Sequence, residues 1–198
     1  FVQLGTTLIA PSRMLYARGD SVVAVAISSH LGVIAVVYTT GILLHRADDR
    51  SPPIGVDFSS PSSVALSRSG ILISASEVSS CVASFNMMGE LLAQHKPGSP
   101  TKDMCCLEPG HVAMCATDGC VRLLCAHTLD VLRVVNVCAV PLRCVSVSLD
   151  GVFIFCGCEQ GEIHILTNPE LRAQNLIAAI EVSWYLRHEG SEDAAATF

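Results

Sequence analysis

An all-β fold made of four copies of one short-strand unit is the class this sequence predicts, on three observations. Four segments share one layout: an apolar run, a polar turn with glycine, a second apolar run, another turn, then a third apolar run. The turn positions recur at a steady step. Gly32, Gly70, Gly110 and Gly151 lie 38, 40 and 41 residues apart, and Gly41, Ser80, Gly119 and Gly161 lie 39, 39 and 42 apart. Between the two turns stand "VIAVV", "ILISA", "HVAMC" and "VFIFC", continuously apolar as a strand covered on both faces must be. A period of about 40–45 residues holding several short strands is that of a four-stranded propeller blade.

The units follow in order. The first is "VVAVAISSHLGVIAVVYTTGILLHR" (22–46), whose Val and Ile are stiff at χ1 and suit a pleated strand. The second is "SSVALSRSGILISASEVSSCVASFN" (62–86) and the third "DMCCLEPGHVAMCATDGCVRLLC" (103–125). The fourth is "LRCVSVSLDGVFIFCGCEQGEIHILT" (142–167). Asp118-Gly119 and Asp150-Gly151 are hairpin dipeptides, because a tight turn needs a positive φ that glycine accepts without steric cost. Residues 46–61 and 94–102, rich in Pro, Ser, Asp and Arg, read as loops. The resulting division is 1–17 as the end of a preceding unit or a linker, repeats at 18–61, 62–102, 103–140 and 141–175, and an extension over 176–198. Residues 168–190 break the pattern: Asn168 and Pro169 could open a helix, while "IAAIEVSWYL" would also pass as a strand. The closing "SEDAAATF" reads as frayed.

Composition narrows the function classes. The length of 198 residues suits one domain or one large piece of one, and a first residue of Phe reads as a fragment or a trimmed product. No basic segment precedes an apolar run with a small-residue cleavage site, so no signal peptide is expected. A net charge of −6 with scattered basic residues excludes a nucleic-acid surface. Hydrophobic residues reach 51% and mean hydropathy is +0.50, so a membrane span must be weighed against buried strands. Residues 21–45 carry no charge and are long enough to span, but "SSH" and "YTT" interrupt them, and two apolar strands joined by a polar turn give the same hydropathy. Ten cysteines sit mostly within apolar runs rather than in a loop-rich disulfide framework, which points to free buried thiols and a reducing, cytoplasmic compartment.

With the repeat in place, the chain resembles WD-repeat propellers, and more narrowly the C-terminal propeller of BEACH-domain proteins of the neurobeachin type. The carrying residues are "LY…GDSVVAVAISSHLGVIAV" (from 15), "SFNMMGELLA" (84–93), "DGCVRLLCAHTLDVLRVV" (118–135) and "PLRCVSVSLDGVFIFCGCEQGEIHIL" (141–166). The resemblance covers roughly residues 13–170 and implies about four blades of a larger, seven-bladed ring. It further implies a cytoplasmic, non-catalytic scaffold in vesicle trafficking or membrane dynamics. Such a scaffold binds proteins through its rim and meets membranes peripherally through the parent polypeptide, with no cofactor. Two departures stand out: Arg18-Gly19-Asp20 replaces the usual "GH" ahead of the first repeat, and no repeat carries a Trp-Asp pair, those positions holding Phe85-Asn86, Leu124-Cys125 and Leu166-Thr167. The lateral hydrogen-bond network of many WD blades is therefore expected to be missing. The alternatives are an adaptor of another class (coat or ubiquitin-ligase), a membrane protein spanning at 21–45, and, last, a propeller hydrolase.

The candidate chemical sites are few. Cys156 and Cys158, with Glu159 beside them and His164 beyond, could be a metal site or a reactive thiol pair. Strand residues separated by one position face the same way, but zinc ligands favour C-x₂₋₄-C spacing, and no C-x-x-C occurs in the chain. Packing at a small-residue position is the expectation, with no metal. Adjacent Cys105 and Cys106 should point to opposite faces. Arg18-Gly19-Asp20 matches an integrin-type tripeptide but falls where the layout wants a turn. His30, His111 and His164 share no ligand spacing. No nucleophile elbow, Walker loop or H-E-x-x-H is present, so no catalytic residue is assigned.

Overall fold

The computed structural model describes residues 20–46, 51–107 and 110–167, and every regular element among them is a β-strand. The first sheet is β1 (Val22–Ser28), β2 (Val33–Tyr38), β3 (Gly41–Arg46) and β4 (Ile54–Val56); the second is β5 (Ser63–Leu66), β6 (Leu72–Ser76), β7 (Cys81–Phe85) and β8 (Leu91–His95). The third is β9 (Thr101–Leu107), β10 (His111–Ala116), β11 (Cys120–Cys125) and β12 (Val131–Asn136). The fourth is β13 (Leu142–Val147), β14 (Phe153–Cys158) and β15 (Ile163–Thr167). All pairings are antiparallel between consecutive strands, so each sheet is an up-and-down meander holding one copy of the repeat.

The uncharged stretch 21–45 is β1, β2 and most of β3, paired in register from Val25↔Val36 to Ser28↔Val33 and from Val36↔Leu43 to Tyr38↔Gly41. Among the described residues no helix is long and apolar enough to cross a membrane. The continuously apolar runs are the second strands. Every residue of β6 is buried, as are Val112 to Ala116 of β10. In β14 the pattern breaks, since Phe155 is exposed and Phe153 half-buried. Ile163 and Ile165 of β15 are exposed as well, and no described sheet packs on that face.

The expected loops at 46–61 and 94–102 need correction. β4 lies inside the first, while the second holds the end of β8 and the start of β9. Strands β8 and β12 lie at the sheets' outer edges with most side chains in solvent, so "LLAQH" and "VLRVVN" lack the two-sided apolar signature that marks the second strands.

Three apolar layers join the sheets face to face. Val33, Ala35, Val37, Ile42 and Leu44 of the first sheet meet Leu72, Ala83 and Phe85 of the second. Ile73, Ala75 and Val82 meet Met104, Val112, Met114 and Leu124 of the third. Ala113, Cys115 and Val121 meet Leu142, Val145, Ile154, Cys156 and Cys158 of the fourth. Within each sheet, alternate residues of one strand feed different layers, as period-2 geometry requires. Cys105 and Cys106 show this directly, packing against the third-to-fourth and second-to-third layers respectively.

Polar links cross the layers too. Ser84 Oγ donates to the His127 carbonyl at 3.1 Å, Lys102 pairs with Glu77 at 2.6 Å, and Val145 N–H donates to Asp103 Oδ2 at 3.0 Å. The Asp103 bond supplies an acceptor to an N–H of β13, whose only strand neighbour among the described residues is β14.

The turns use the residues the repeat singled out. Gly32, Gly70, Gly110 and Gly151 all have positive φ, as do Gly119 and Gly161. Gly70, Gly119, Gly151 and Gly161 each donate their N–H to the carbonyl three residues back, which makes one recurrent tight hairpin. Ser80 stands at φ 47°, a serine doing at that position what glycine does in the third and fourth units. Gly41 departs from the expectation: it is the first residue of β3, and the turn is Thr39-Thr40. Asp20 supports that turn, accepting from both threonine hydroxyls and from Thr40 N–H at 3.3 Å. These bonds, the Thr39 hydroxyl first, hold the Asp20 carboxyl below its ordinary range. The aspartate of the Arg18-Gly19-Asp20 tripeptide is thus a turn anchor, while Arg18 and Gly19 lie outside the described residues, as do 1–17 and the helix-or-strand segment 168–190.

Candidate functional site

Successive sheets touch through their first strands, β1 to β5, β5 to β9 and β9 to β13. The C-terminal ends of these four strands, with turn residues from the first, second and fourth sheets, surround a mouth of about 430 Å³. Ala26 to His30, Leu66, Arg68, Leu107 and Val147 to Gly151 line it. Its rim is apolar where it meets water: Leu149 is 96% exposed and Ile27 68%. Arg68, His30 and Asp150 add charge and hydrogen-bonding groups around that apolar edge. Large exposed apolar side chains thus stand beside polar ones on one concave surface.

Three polar or nucleophilic groups of this lining are already engaged or suppressed. Ser148 Oγ donates to Asp150 Oδ1 at 2.5 Å and accepts from Phe153 N–H at 2.9 Å, so its hydroxyl is committed to the turn. The Ser148 bond chiefly, with Val152 N–H, holds Asp150 below the usual carboxylate range, the wrong direction for a general base near neutral pH. Burial pushes the Cys105 thiol up, away from the thiolate a nucleophile needs.

The cysteines of the fourth sheet resolve into different roles. All ten cysteines are free. Cys156 pairs across the hairpin with His164, and Cys158 N–H donates to the Glu162 carbonyl at 3.0 Å, so Cys156, Cys158, Glu162 and His164 share one face. Cys156 belongs to the third-to-fourth layer, and burial pushes its thiol up to about 11, the state of a packed, inert side chain. Cys158, Glu162 and His164 converge instead: one donor atom from each lies within 4.8 Å of the others. His164 Nε2 is 3.4 Å from Glu162 Oε2. Glu159, the acid adjacent to Cys158 in sequence, points elsewhere and pairs with Arg143 at 2.7 Å. Glu162 is the residue that spacing rules miss; its signal is the hairpin turn at Gly161, which places residues 158 and 162 opposite each other. His30 stands on the mouth, and His111 opens β10 opposite Leu107.

No family model matches the chain, and no curated protein matches it in sequence. Solved structures do match in fold. The chain is similar to a crystal structure of the computationally designed Ika4 protein, with 14% identity, a TM-score of 0.63, and coverage of 78% of this chain and 95% of that one. It is also similar to Kuenenia stuttgartiensis hydrazine synthase, with 9% identity, a TM-score of 0.67, and coverage of 82% of this chain and 50% of that one. At these identities the likeness is one of fold alone, and a designed protein beside an enzyme says nothing of activity.

Proposed function

We propose that this chain is a non-catalytic protein-interaction module: about four WD-like blades of a larger β-propeller, binding proteins through the mouth and its rim. The carrying observation is the convergence of four first strands on one mouth edged by Leu149 and Ile27. Supporting the blade reading are four consecutive meanders with one sequence repeat each, packed face to face in chain order. Supporting a larger ring is the apolar outer face of the fourth sheet, where Phe155, Ile163 and Ile165 are exposed as a further blade would require. The host we propose is a BEACH-type scaffold at cytoplasmic membranes, on the residues of 84–93, 118–135 and 141–166 that carry that resemblance.

The test is recovery of partners by the tagged chain and by rim variants. Leu149→Asp and Ile27→Asp should release a partner that wild type retains, while Val78→Asp, equally exposed in the β6–β7 turn away from the mouth, should not. Equal retention by all three variants would refute a rim-binding role. A partner set made of coat or ubiquitin-ligase subunits would instead place the host in that adaptor class.

A further inference from the structure

We propose that Cys158, Glu162 and His164 form a binding site for a single zinc ion at the tip of the β14–β15 hairpin. Three different donor types, a thiol sulfur, a carboxylate oxygen and an imidazole nitrogen, meet within 4.8 Å. They do so because of register. Residues 158 and 162 face each other across the Gly161 turn, and His164 is one pleat further along the same face.

The distances suit zinc. With Zn–N and Zn–O bonds of about 2.0–2.2 Å, a tetrahedral ion separates its nitrogen and oxygen ligands by about 3.4 Å. His164 Nε2 and Glu162 Oε2 stand 3.4 Å apart. That is long for a hydrogen bond and right for two ligands of one ion. A Zn–S bond of about 2.3 Å asks for a sulfur-to-nitrogen edge of about 3.6 Å, so the set closes with little more than about 1 Å of side-chain movement. Glu162 is exposed and can supply that movement, while Cys158 is anchored in the third-to-fourth apolar layer. His164 Nε2 is shielded from solvent and makes no hydrogen bond among the described residues, as expected of a buried nitrogen whose natural partner is an ion.

The donor set selects the metal class. Thiolate and imidazole favour zinc over magnesium or calcium, which want six or more oxygens. Binding would release the Cys158 thiol proton to solvent and leave a fourth coordination position open beside exposed Glu162. The ion would clamp β14 to β15, the outermost described strand of the fourth sheet.

The experiment uses the full chain, purified with all thiols reduced. Zinc is titrated against a chromophoric chelator, and cobalt(II) alone is followed by its thiolate charge-transfer absorption. One ion per chain is expected, with cobalt absorption that zinc displaces. Cys158→Ser and His164→Asn should weaken binding by more than the roughly 10- to 100-fold that loss of an outer partner costs. Glu162→Gln, at an exposed position that does not threaten folding, should weaken it about tenfold or more. Glu159→Gln and Cys144→Ser should leave affinity unchanged. Failure of the folded wild-type chain to bind zinc would overturn the proposal. So would a cobalt signal that survives Cys158→Ser, or a Glu162→Gln variant that binds as wild type does.

Discussion

Gly119 and Gly161 occupy equivalent turns with φ of 73° and 83°, yet alanine should affect them very differently. At Gly161 an added Cβ meets nothing within 4 Å. The cost there is the left-handed backbone alone, about 1–2 kcal/mol, offset by about 0.4–1 kcal/mol from a less flexible unfolded chain. At Gly119 the same atom falls 2.0 Å from the Cys138 carbonyl oxygen and 2.9 Å from that of Val140. Both are backbone atoms, so the loop after β12 must move, and the bonds from Val137 and Cys138 N–H to the Gly119 carbonyl are strained with it. Overpacking of this kind adds about 1–3 kcal/mol, and two weakened hydrogen bonds add about 1 kcal/mol each. Gly119→Ala should therefore lose about 3 kcal/mol or more and Gly161→Ala about 1.5 kcal/mol or less, by the sum of these terms. Urea unfolding followed by circular dichroism reads both as midpoint shifts at constant slope. With a slope of about 2 kcal/mol/M, they should differ by roughly 1 M. Two variants of equal stability would refute the packing of the Cys138–Val140 loop onto the β10–β11 turn.

Three further outcomes follow from the same structure. Asp103→Ala should destabilise the chain by about 1.5–3 kcal/mol, because Val145 N–H loses a charged acceptor across the sheet boundary. Hydrogen exchange at Val145 should quicken with it. Arg122 holds the Asp118 carboxyl at about 2, against an ordinary 3.8. A depressed folded value means its contribution is present above pH about 4 and is lost as pH falls toward 2. Asp118→Asn should remove that acid dependence, worth about 1 kcal/mol for a partly exposed pair screened by solvent. Under limiting alkylation, exposed Cys144 and half-buried Cys125, whose thiol the Thr128 hydroxyl draws down, should be modified first. Cys115, pushed up to about 12 by burial, and Cys156 should be modified last, as read by peptide mass mapping.

Much of the architecture is legible in the sequence, because glycine spacing reports backbone conformation directly. Positive φ at Gly32, Gly70, Gly110 and Gly151 is what a tight turn demands, and the two-sided apolar runs between the turns form β2, β6, β10 and β14. Where a turn is built differently, the glycine rule fails. Thr39-Thr40 is held by Asp20 from nineteen and twenty residues upstream, and Gly41 is left to begin a strand. The edge strands are illegible for another reason: "VLRVVN" and "LLAQH" face solvent and carry no two-sided pattern. The Cys158, Glu162 and His164 cluster escapes ligand-spacing rules because they count along one strand, whereas a hairpin brings its donors together across two. The mouth has no sequence signature, since it gathers short runs from four repeats that only the fold brings together.

The most direct test of the account is photo-crosslinking at two solvent-facing positions. A photoreactive residue at Leu149 reports the mouth, and the same residue at Val78 reports the β6–β7 turn. If the mouth is the interaction face, Leu149 captures a discrete protein partner in cells, Arg68→Glu abolishes that capture, and Val78 captures none of it. Capture of the same partner at Val78 but not at Leu149 would contradict the account.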